Sequence, residues 1–183
     1  MTNWLDEDCY PDWYQIRSQW VSGQIKLPSK IVEIGPGPIG IKPYLHDGVS
    51  YISFDLKKWT NETFLVDLND SNSLKSVAKK IDKNTGVVML GVLEYLTNPL
   101  FVLKSLMKGK SLVFSYCHSW DKSNFVDRES RGWTSNLSEF EIIQFFMETS
   151  SKSKIRDKWN LKTLGYETKS DFYQNLYYCF RTK

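Results

Sequence analysis

Residues 31–40, IVEIGPGPIG, constrain this chain more than any other stretch. An apolar run carries one acid, Glu33, and breaks at once into a glycine-rich turn at Gly35, Gly37 and Gly40. Gly35 permits a tight turn at a strand end, and Gly37 lets a ligand lie against bare backbone. The next apolar run, SYISFD, ends in Asp55, 20 residues after Gly35. An acid in that position can accept hydrogen bonds from ribose hydroxyls. The two runs together predict an α/β sheet with a site for an adenosine-type ligand at one edge.

The rest of the chain alternates between strand and helix periods. PDWYQIRSQWVSG reads as a helix, with Trp13, Ile16, Trp20 and Val21 near helical spacing and Gly23 closing it. SKIVEIG is a short buried strand, VSYISFDL a second and FLVDL a third. Helical signal resumes at Pro38, a favoured first-turn residue, and Pro43 limits or kinks that helix. SNSLKSVAKKID reads as an amphipathic helix with a serine or asparagine cap. GVVMLGVLEYL begins as a buried strand and turns near Gly91. NPLFVLKSLMKG is a helix ended by Gly109, and KSLVFSYC is the next strand. A polar stretch over 118–136 precedes LSEFEIIQFFMETS, an amphipathic helix in which Ser138 and Glu141 have capping-box spacing. The closing strands, KWNLKTLGYE and FYQNLYYCFRTK, are near enough in sequence to pair as an antiparallel hairpin. Strands that alternate with helices imply a parallel sheet.

The expected fold class is therefore α/β: a Rossmann-like three-layer sandwich with a mostly parallel seven-stranded sheet and a reversed final strand. Residues 1–183 read as a single domain, with 1–29 as a helical lid segment and 30–183 as the ligand-binding core. A chain of 183 residues is long enough for a sizeable core. Its net charge is only +3 and its lysines are interleaved with acids, so pairs such as Lys79-Lys80 read as solvated faces rather than a nucleic-acid footprint. The acidic start MTNWLDEDCY does not read as a signal peptide, and no apolar run reaches the ~18 residues that span a bilayer. Cys9, Cys117 and Cys179 are far apart and odd in number, which reads as reduced thiols in a cytoplasmic protein. With two histidines, His46 and His118, and no CxxC pattern, no metal site is expected. His46, beside Asp47-Gly48, reads as a turn residue.

The order of these motifs resembles the class I S-adenosylmethionine-dependent methyltransferases, from about Lys30 to the C-terminus. EIGPGPIG is similar to their first motif, an acid followed by Gly-x-Gly. Asp55 matches their acid after the second strand, and Asp67 in VDL the one after the third. GVLEYLTNP resembles the fourth-strand signature that precedes an Asp-Pro or Asn-Pro helix start. GWTSNLSEFEII resembles the start of their penultimate helix, and YYCFRTK their reversed last strand. Two positions depart from the pattern: Ile39 stands where many members have a third glycine, with Gly40 beside it, and Tyr95 stands where many carry histidine. The resemblance implies S-adenosyl-L-methionine as cofactor and S-adenosyl-L-homocysteine as product. It implies that Glu33 contacts the methionine amino group through water or supports the loop, that Gly35 and Gly37 let the methionine end pass close, and that Gly40 serves as the third glycine of the cofactor loop. Asp55 would hold the ribose with Leu56 on the adenine, Asp67 would accept from the adenine amino group with Leu68 beside it, and Gly91 and Val92 would lie near the sulfonium.

Methyl transfer from a sulfonium is an in-line displacement, so a protein mainly positions and desolvates the partners. A base is needed only where the nucleophile must shed a proton. His118, just past the fifth strand at the carboxyl edge, is the candidate base; it also has a reading as a structural loop histidine. Glu94 is the second catalytic candidate, with a structural ion pair or cap as its other reading. Aromatic residues make up 15% of the chain. Trp13 and Tyr14 on the first helix, and Trp120 and Trp133 in the polar loop, are candidate walls for the acceptor. Arg17 and Arg131 are candidates for a carboxylate or phosphate on it.

The mild charge favours a small-molecule acceptor over nucleic acid, with methylation at O or N. No membrane partner is expected, and the oligomeric state is open, a homodimer being one option. Two other functions compete. A catalytically inactive methyltransferase-like domain would act as a binding or regulatory subunit. The literal spacing Gly35-x-Gly37-x-x-Gly40 also fits a dinucleotide fingerprint, hence an NAD(P)-dependent oxidoreductase. Against the latter, no tyrosine in the chain has lysine four positions later.

Overall fold

The structure, a computed structural model, describes residues 13–24, 28–118, 128–152, 158–163 and 174–182. Within them lie strands β1 (Lys30–Ile34), β2 (Ser50–Asp55), β3 (Thr63–Leu65), β4 (Thr85–Met89), β5 (Ser111–Cys117), β6 (Lys158–Thr163) and β7 (Gln174–Thr182). The helices are α1 (Trp13–Gln24), α2 (Ser71–Lys80), α3 (Pro99–Leu106) and α4 (Glu139–Lys152). The strands form one sheet in the order β3-β2-β1-β4-β5-β7-β6. β1 to β5 pair in parallel. β7 runs antiparallel to both β5 and β6, so it alone is reversed, inserted between two parallel neighbours.

The period of two along each strand sorts its side chains into two cores. Val32, Val87, Met89, Leu112 and Phe114 pack with Leu74 and Val77 of α2, Val102 and Leu103 of α3, and Ile142 and Phe146 of α4. Ile31, Val88 and Val113 point the other way and pack with Val21 and Trp20 of α1. Helices thus cover both faces, and every residue of β4 and β5 is buried, as a parallel sheet requires.

Helix starts follow local chemistry. α3 opens on Pro99, with the Asn98 side chain accepting from Phe101 N at 3.3 Å. The capping box before α4 closes in both directions: Ser138 N donates to Glu141 Oε2 at 2.7 Å, and Glu141 N to Ser138 Oγ at 3.2 Å. The cap of α2 differs from the expected serine or asparagine. It is Asp70, whose Oδ2 accepts from Ser73 N at 2.7 Å, because the helix already begins at Ser71 and the residue before it takes the cap.

The helix expected from Pro38 does not form. Between β1 and β2 there is only a single 3₁₀ turn, Lys42–Tyr44. Pro43 has no N–H to give an α-helical ladder. The Ile41 N–H, which such a helix would direct to the carbonyl four residues back, donates instead to Glu33.

Gly109 links α3 to β5 at a point of close approach. A Cβ there would sit 2.4 Å from the backbone oxygen of Thr85, and that same oxygen accepts from Lys110 N at 2.7 Å. Gly109→Ala is expected to lower unfolding stability by about 1–3 kcal/mol. Gly23 of α1 meets nothing within 4 Å, so Gly23→Ala should raise stability by about 0.5–1 kcal/mol. Urea denaturation of the two variants beside the parent protein reads both effects.

Candidate cofactor site

A cavity of about 440 Å³ opens at the carboxyl edge of the sheet, a size typical of small-molecule sites. At one end stand Phe54, Asp55 and Leu56 from β2, with Asp67, Leu68 and Asn69 from the turn after β3. Gly35 and Pro36 lie in the middle. At the other end are Leu90, Gly91 and Val92 after β4, faced by Tyr14 and Arg17 of α1 and by Arg131 and Gly132.

Gly35 adopts φ +64°, where a side chain is strained, and its N–H donates to Phe54 O at 2.8 Å. A Cβ on it would meet Val92 Cγ2 at 2.3 Å. The glycine therefore lets the end of β1 and the turn after β4 close on one another beneath the cavity. Gly91 is held in turn by its N–H on Ser115 Oγ at 2.7 Å.

Asp55 is fixed from behind by backbone donors. Its Oδ2 accepts from Gly37 N at 3.0 Å and its Oδ1 from Leu56 N at 2.6 Å. Partial burial raises its pKa, against the pull of these N–H groups. A carboxylate has about four lone-pair sites, so it can still accept from ligand hydroxyls. Gly37 itself is not on the cavity wall; its role is the bond to Asp55. Asp67 turns its Oδ1 to Asn69 N at 2.9 Å. Asn69, which sequence reasoning missed, ties this turn to the next: its Oδ1 accepts from Thr97 N at 2.9 Å and its Nδ2 donates to Tyr95 O at 3.3 Å. The only signal for it was an amide side chain two residues past Asp67.

Glu33 lies behind the wall and supports the loop. It is 2% exposed and takes Ile41 N on both oxygens, at 3.1 and 3.0 Å, and the Tyr51 hydroxyl at 2.6 Å. Gly40 leaves room for it, since a Cβ there would sit 2.8 Å from Glu33 Oε2. Burial raises the pKa of Glu33 to about 7, against these hydrogen bonds and the charge of Arg17.

The candidate acceptor residues divide. Tyr14, Arg17 and Arg131 line the cavity. Arg17 is 4% exposed, donates to Leu90 O at 3.3 Å and lies 4.7 Å from the centre of the Tyr14 ring. Trp133 is off the wall, with the guanidinium groups of Arg128 and Arg131 over its ring at 5.0 and 5.5 Å. Trp13 opens α1. Trp120 lies outside the described residues.

The two catalytic candidates are placed in the framework rather than on the wall. Glu94 is 1% exposed; its Oε1 accepts from Cys117 N at 2.9 Å, and its backbone oxygen from Thr134 N at 2.7 Å and Ser135 N at 3.0 Å. His118 is buried, hydrogen-bonded through Nε2 to the Tyr177 hydroxyl and packed edge-on against Tyr116. Burial pushes its pKa down to about 4. Next to it Arg128 ties the end of β5 to the segment around Ser135. Its guanidinium donates to Cys117 O at 2.6 Å, to the Tyr116 hydroxyl at 2.8 Å and to Ser135 O at 2.7 Å.

No protein-family model matches the sequence, and no curated protein matches it. Solved structures do. The N-terminal domain of EvdMO1, crystallised in the presence of S-adenosylhomocysteine and D-fucose, superposes with a TM-score of 0.59 at 13% identity, over 95% of this chain and 84% of that one. The plantazolicin methyltransferase BamL, in complex with S-adenosylhomocysteine and a triazolic desmethylPZN analog, gives 0.60 at 9% identity over 94% and 84%. The small RNA methyltransferase HEN1 gives 0.60 at 12% identity over 100% of this chain and 26% of its own. The chain has the class I S-adenosylmethionine-dependent methyltransferase fold.

The buried acid gives a prediction of known sign. Between pH 4.5 and about 7 the native protein retains a proton on Glu33 that the unfolded chain releases. Stability contributed at this position therefore falls as pH rises through that window, by about 3 kcal/mol in all, and is level above it. Glu33→Gln is expected to remove this slope, so that its stability relative to the parent protein rises across the window and then stays constant. Urea unfolding through and above the window checks it.

Proposed function

We propose that this chain is an S-adenosylmethionine-dependent methyltransferase acting on an oxygen or nitrogen atom of a small-molecule acceptor. In this reading it is one domain, with 1–29 as a lid on a 30–183 core, in a cytoplasmic setting. The observation that carries it is a single cavity joining Asp55, the bare backbone at Gly35 and the 90–92 turn. The fit to an adenosine thioether or sulfonium is also better than to a dinucleotide. Between β1 and β2 there is no α-helix N-terminus to receive a pyrophosphate, only a 3₁₀ turn. A ligand without phosphates needs none. The antiparallel β7 between β5 and β6 likewise departs from the strand order of dinucleotide-binding sheets.

When bound, S-adenosylmethionine supplies an electrophilic methyl group on sulfur, and its transfer leaves S-adenosylhomocysteine. Asp55 would accept from the ribose hydroxyls, fixed by Gly37 and Leu56 N–H. Asp67, Leu68 and the 62%-exposed Leu56 would enclose the adenine. Gly35, Gly91 and Val92 would bound the amino-acid end. Tyr14, Tyr95 and Arg131 would face the acceptor and exclude water, so that rate comes from positioning and desolvation. His118 and Glu94 would hold the frame. The net charge of +3 favours a small acceptor; of the similar solved structures, EvdMO1 was crystallised in the presence of D-fucose and BamL in complex with a desmethylPZN analog, whereas HEN1 is a small RNA methyltransferase.

Isothermal titration with S-adenosylmethionine, S-adenosylhomocysteine and NAD(H) tests this reading. Both sulfur ligands are expected to bind, and Asp55→Ala to weaken them by about tenfold or more. Binding of NAD(H) alone would favour an oxidoreductase. Tight sulfur-ligand binding without release of S-adenosylhomocysteine, across a panel of hydroxyl and amine acceptors, would favour a non-catalytic binding subunit.

A further inference from the structure

We propose that the face formed by α2, α3 and α4 is an interface between two copies of this chain, paired about a two-fold axis that runs along α3. The inference goes beyond the cofactor reading and does not depend on it.

Charge is divided between the helices of this face. Every charged residue of α2 and α3 is a lysine: Lys75, Lys79, Lys80 and Lys104. α4 carries Glu139, Glu141 and Glu148, with one lysine, Lys152, at its last position. All three helices pack into the same core on one side of the sheet. α3, which joins β4 to β5, packs against α2, and Phe146 of α4 stacks on Phe114 of β5. A basic strip thus borders an acidic one, with α3 in the middle. The outward stripes also carry apolar side chains. Ile142 and Phe146 face the core, which leaves Phe140 and Met147 on the outer side of α4, at 71% and 68% exposure. α3 shows Phe101 to solvent at 54%. A single exposed apolar residue is ordinary on a surface. Here Phe101 and Phe140 both stand in the first turn of their helices, at one end of the face.

Chain direction decides how two such faces can meet. β3, β4 and β5 are parallel, and each is followed by one of these helices, so α2, α3 and α4 all start at the carboxyl edge of the sheet. A two-fold axis across the helices sets α2 on α2 and α4 on α4, and so opposes like charges. An axis along α3 sets α2 of each copy on α4 of the other, at the same height. Lys79, in the third turn of α2, then meets Glu148 in the third turn of α4, and Lys75 comes within about one turn of Glu141. Symmetry makes each pair occur twice. The two Phe101 rings meet near the axis, with Phe140 at the same height, and add apolar contact to the charged pairs. Among the described residues, none from α2, α3 or α4 lines the cavity. Both cavities therefore stay accessible, and they open at the same end of the dimer.

Sedimentation equilibrium over a range of protein concentrations tests the pairing. The parent protein is expected to pass from the mass of one chain to that of two. Lys79→Glu and Glu148→Lys should each weaken the dimer by about tenfold or more, because each sets like charges opposite one another twice. An equimolar mixture of the two variants should recover the parent affinity, since every contact of the mixed dimer again joins unlike charges. One chain carrying both substitutions should recover it for the same reason. Recovery also shows that the variants are folded. A parent protein that remains monomeric at about 0.1 mM, far above the Kd of a standard-size interface, overturns the inference. So does a dimer that either single variant leaves unchanged, or one that the mixture fails to restore.

Discussion

The site depends on one buried carboxylate. Glu33 points away from the α2, α3 and α4 layer, behind the loop that follows its own strand, and takes the Ile41 N–H and the Tyr51 hydroxyl. These bonds draw residues 36–41 back over the sheet and prevent a helix from starting there. Beside that loop Gly35 lets the end of β1 and the turn after β4 close on one another, with Val92 packed where a Cβ would stand. The close approach of Gly35 and Val92 gives the cavity its floor. Desolvating the carboxyl is unfavourable, which its raised pKa records, and the loop geometry is what offsets that cost.

A second set of bonds closes the opposite side. Arg128 gathers the end of β5 and the strap that follows it, while the backbone oxygen of Glu94 holds Thr134 and Ser135. Ser135 Oγ adds a bond to Leu93 O at 2.7 Å. The strap thereby reaches back across the turn after β4 and sets Arg131 and Gly132 on the cavity wall. The price is that Glu94 and His118 become internal. Their pKa values move in opposite directions for the same reason, burial favouring the neutral form of each: up for the carboxyl, down for the imidazole.

The two clasps give the cavity its polarity. Hydrogen-bond acceptors are presented at the Asp55 end, where backbone N–H groups from Gly37 and Leu56 orient the carboxylate. Guanidinium groups stand at the other end, Arg17 from α1 and Arg131 from the strap. A ligand with hydroxyls at one end and an anionic group at the other matches that arrangement along its length. One with a central pyrophosphate does not, because the loop beneath it lacks a helix terminus.

Much of the fold could be read in the chain because its signals are local. Strand runs, the Asn98 cap and the Ser138–Glu141 box each depend on residues within a turn or two, and so do Gly35 and Asp55 as strand-end markers. The reversal of the last strand was legible too, because a short connection between two strands permits only an antiparallel pair. What the sequence could not decide was which face of the sheet edge a side chain would meet. His118 and Glu94 sit at strand and turn ends that look open in one dimension, yet both are buried in three, with Arg128 fastened to Cys117 and Tyr116 beside His118. Asn69 acquires its place only when Tyr95 and Thr97 arrive from 26 and 28 residues away. The helix foreseen at Pro38 was lost to a side chain on the preceding strand. The sequence alone determined the sheet and the acid and glycines at its edge, since these follow from local periodicity and turn chemistry. Only the tertiary structure decided which charged groups line the cavity and which are sealed behind it, since desolvation and long-range hydrogen bonds act between segments the chain brings together only by folding.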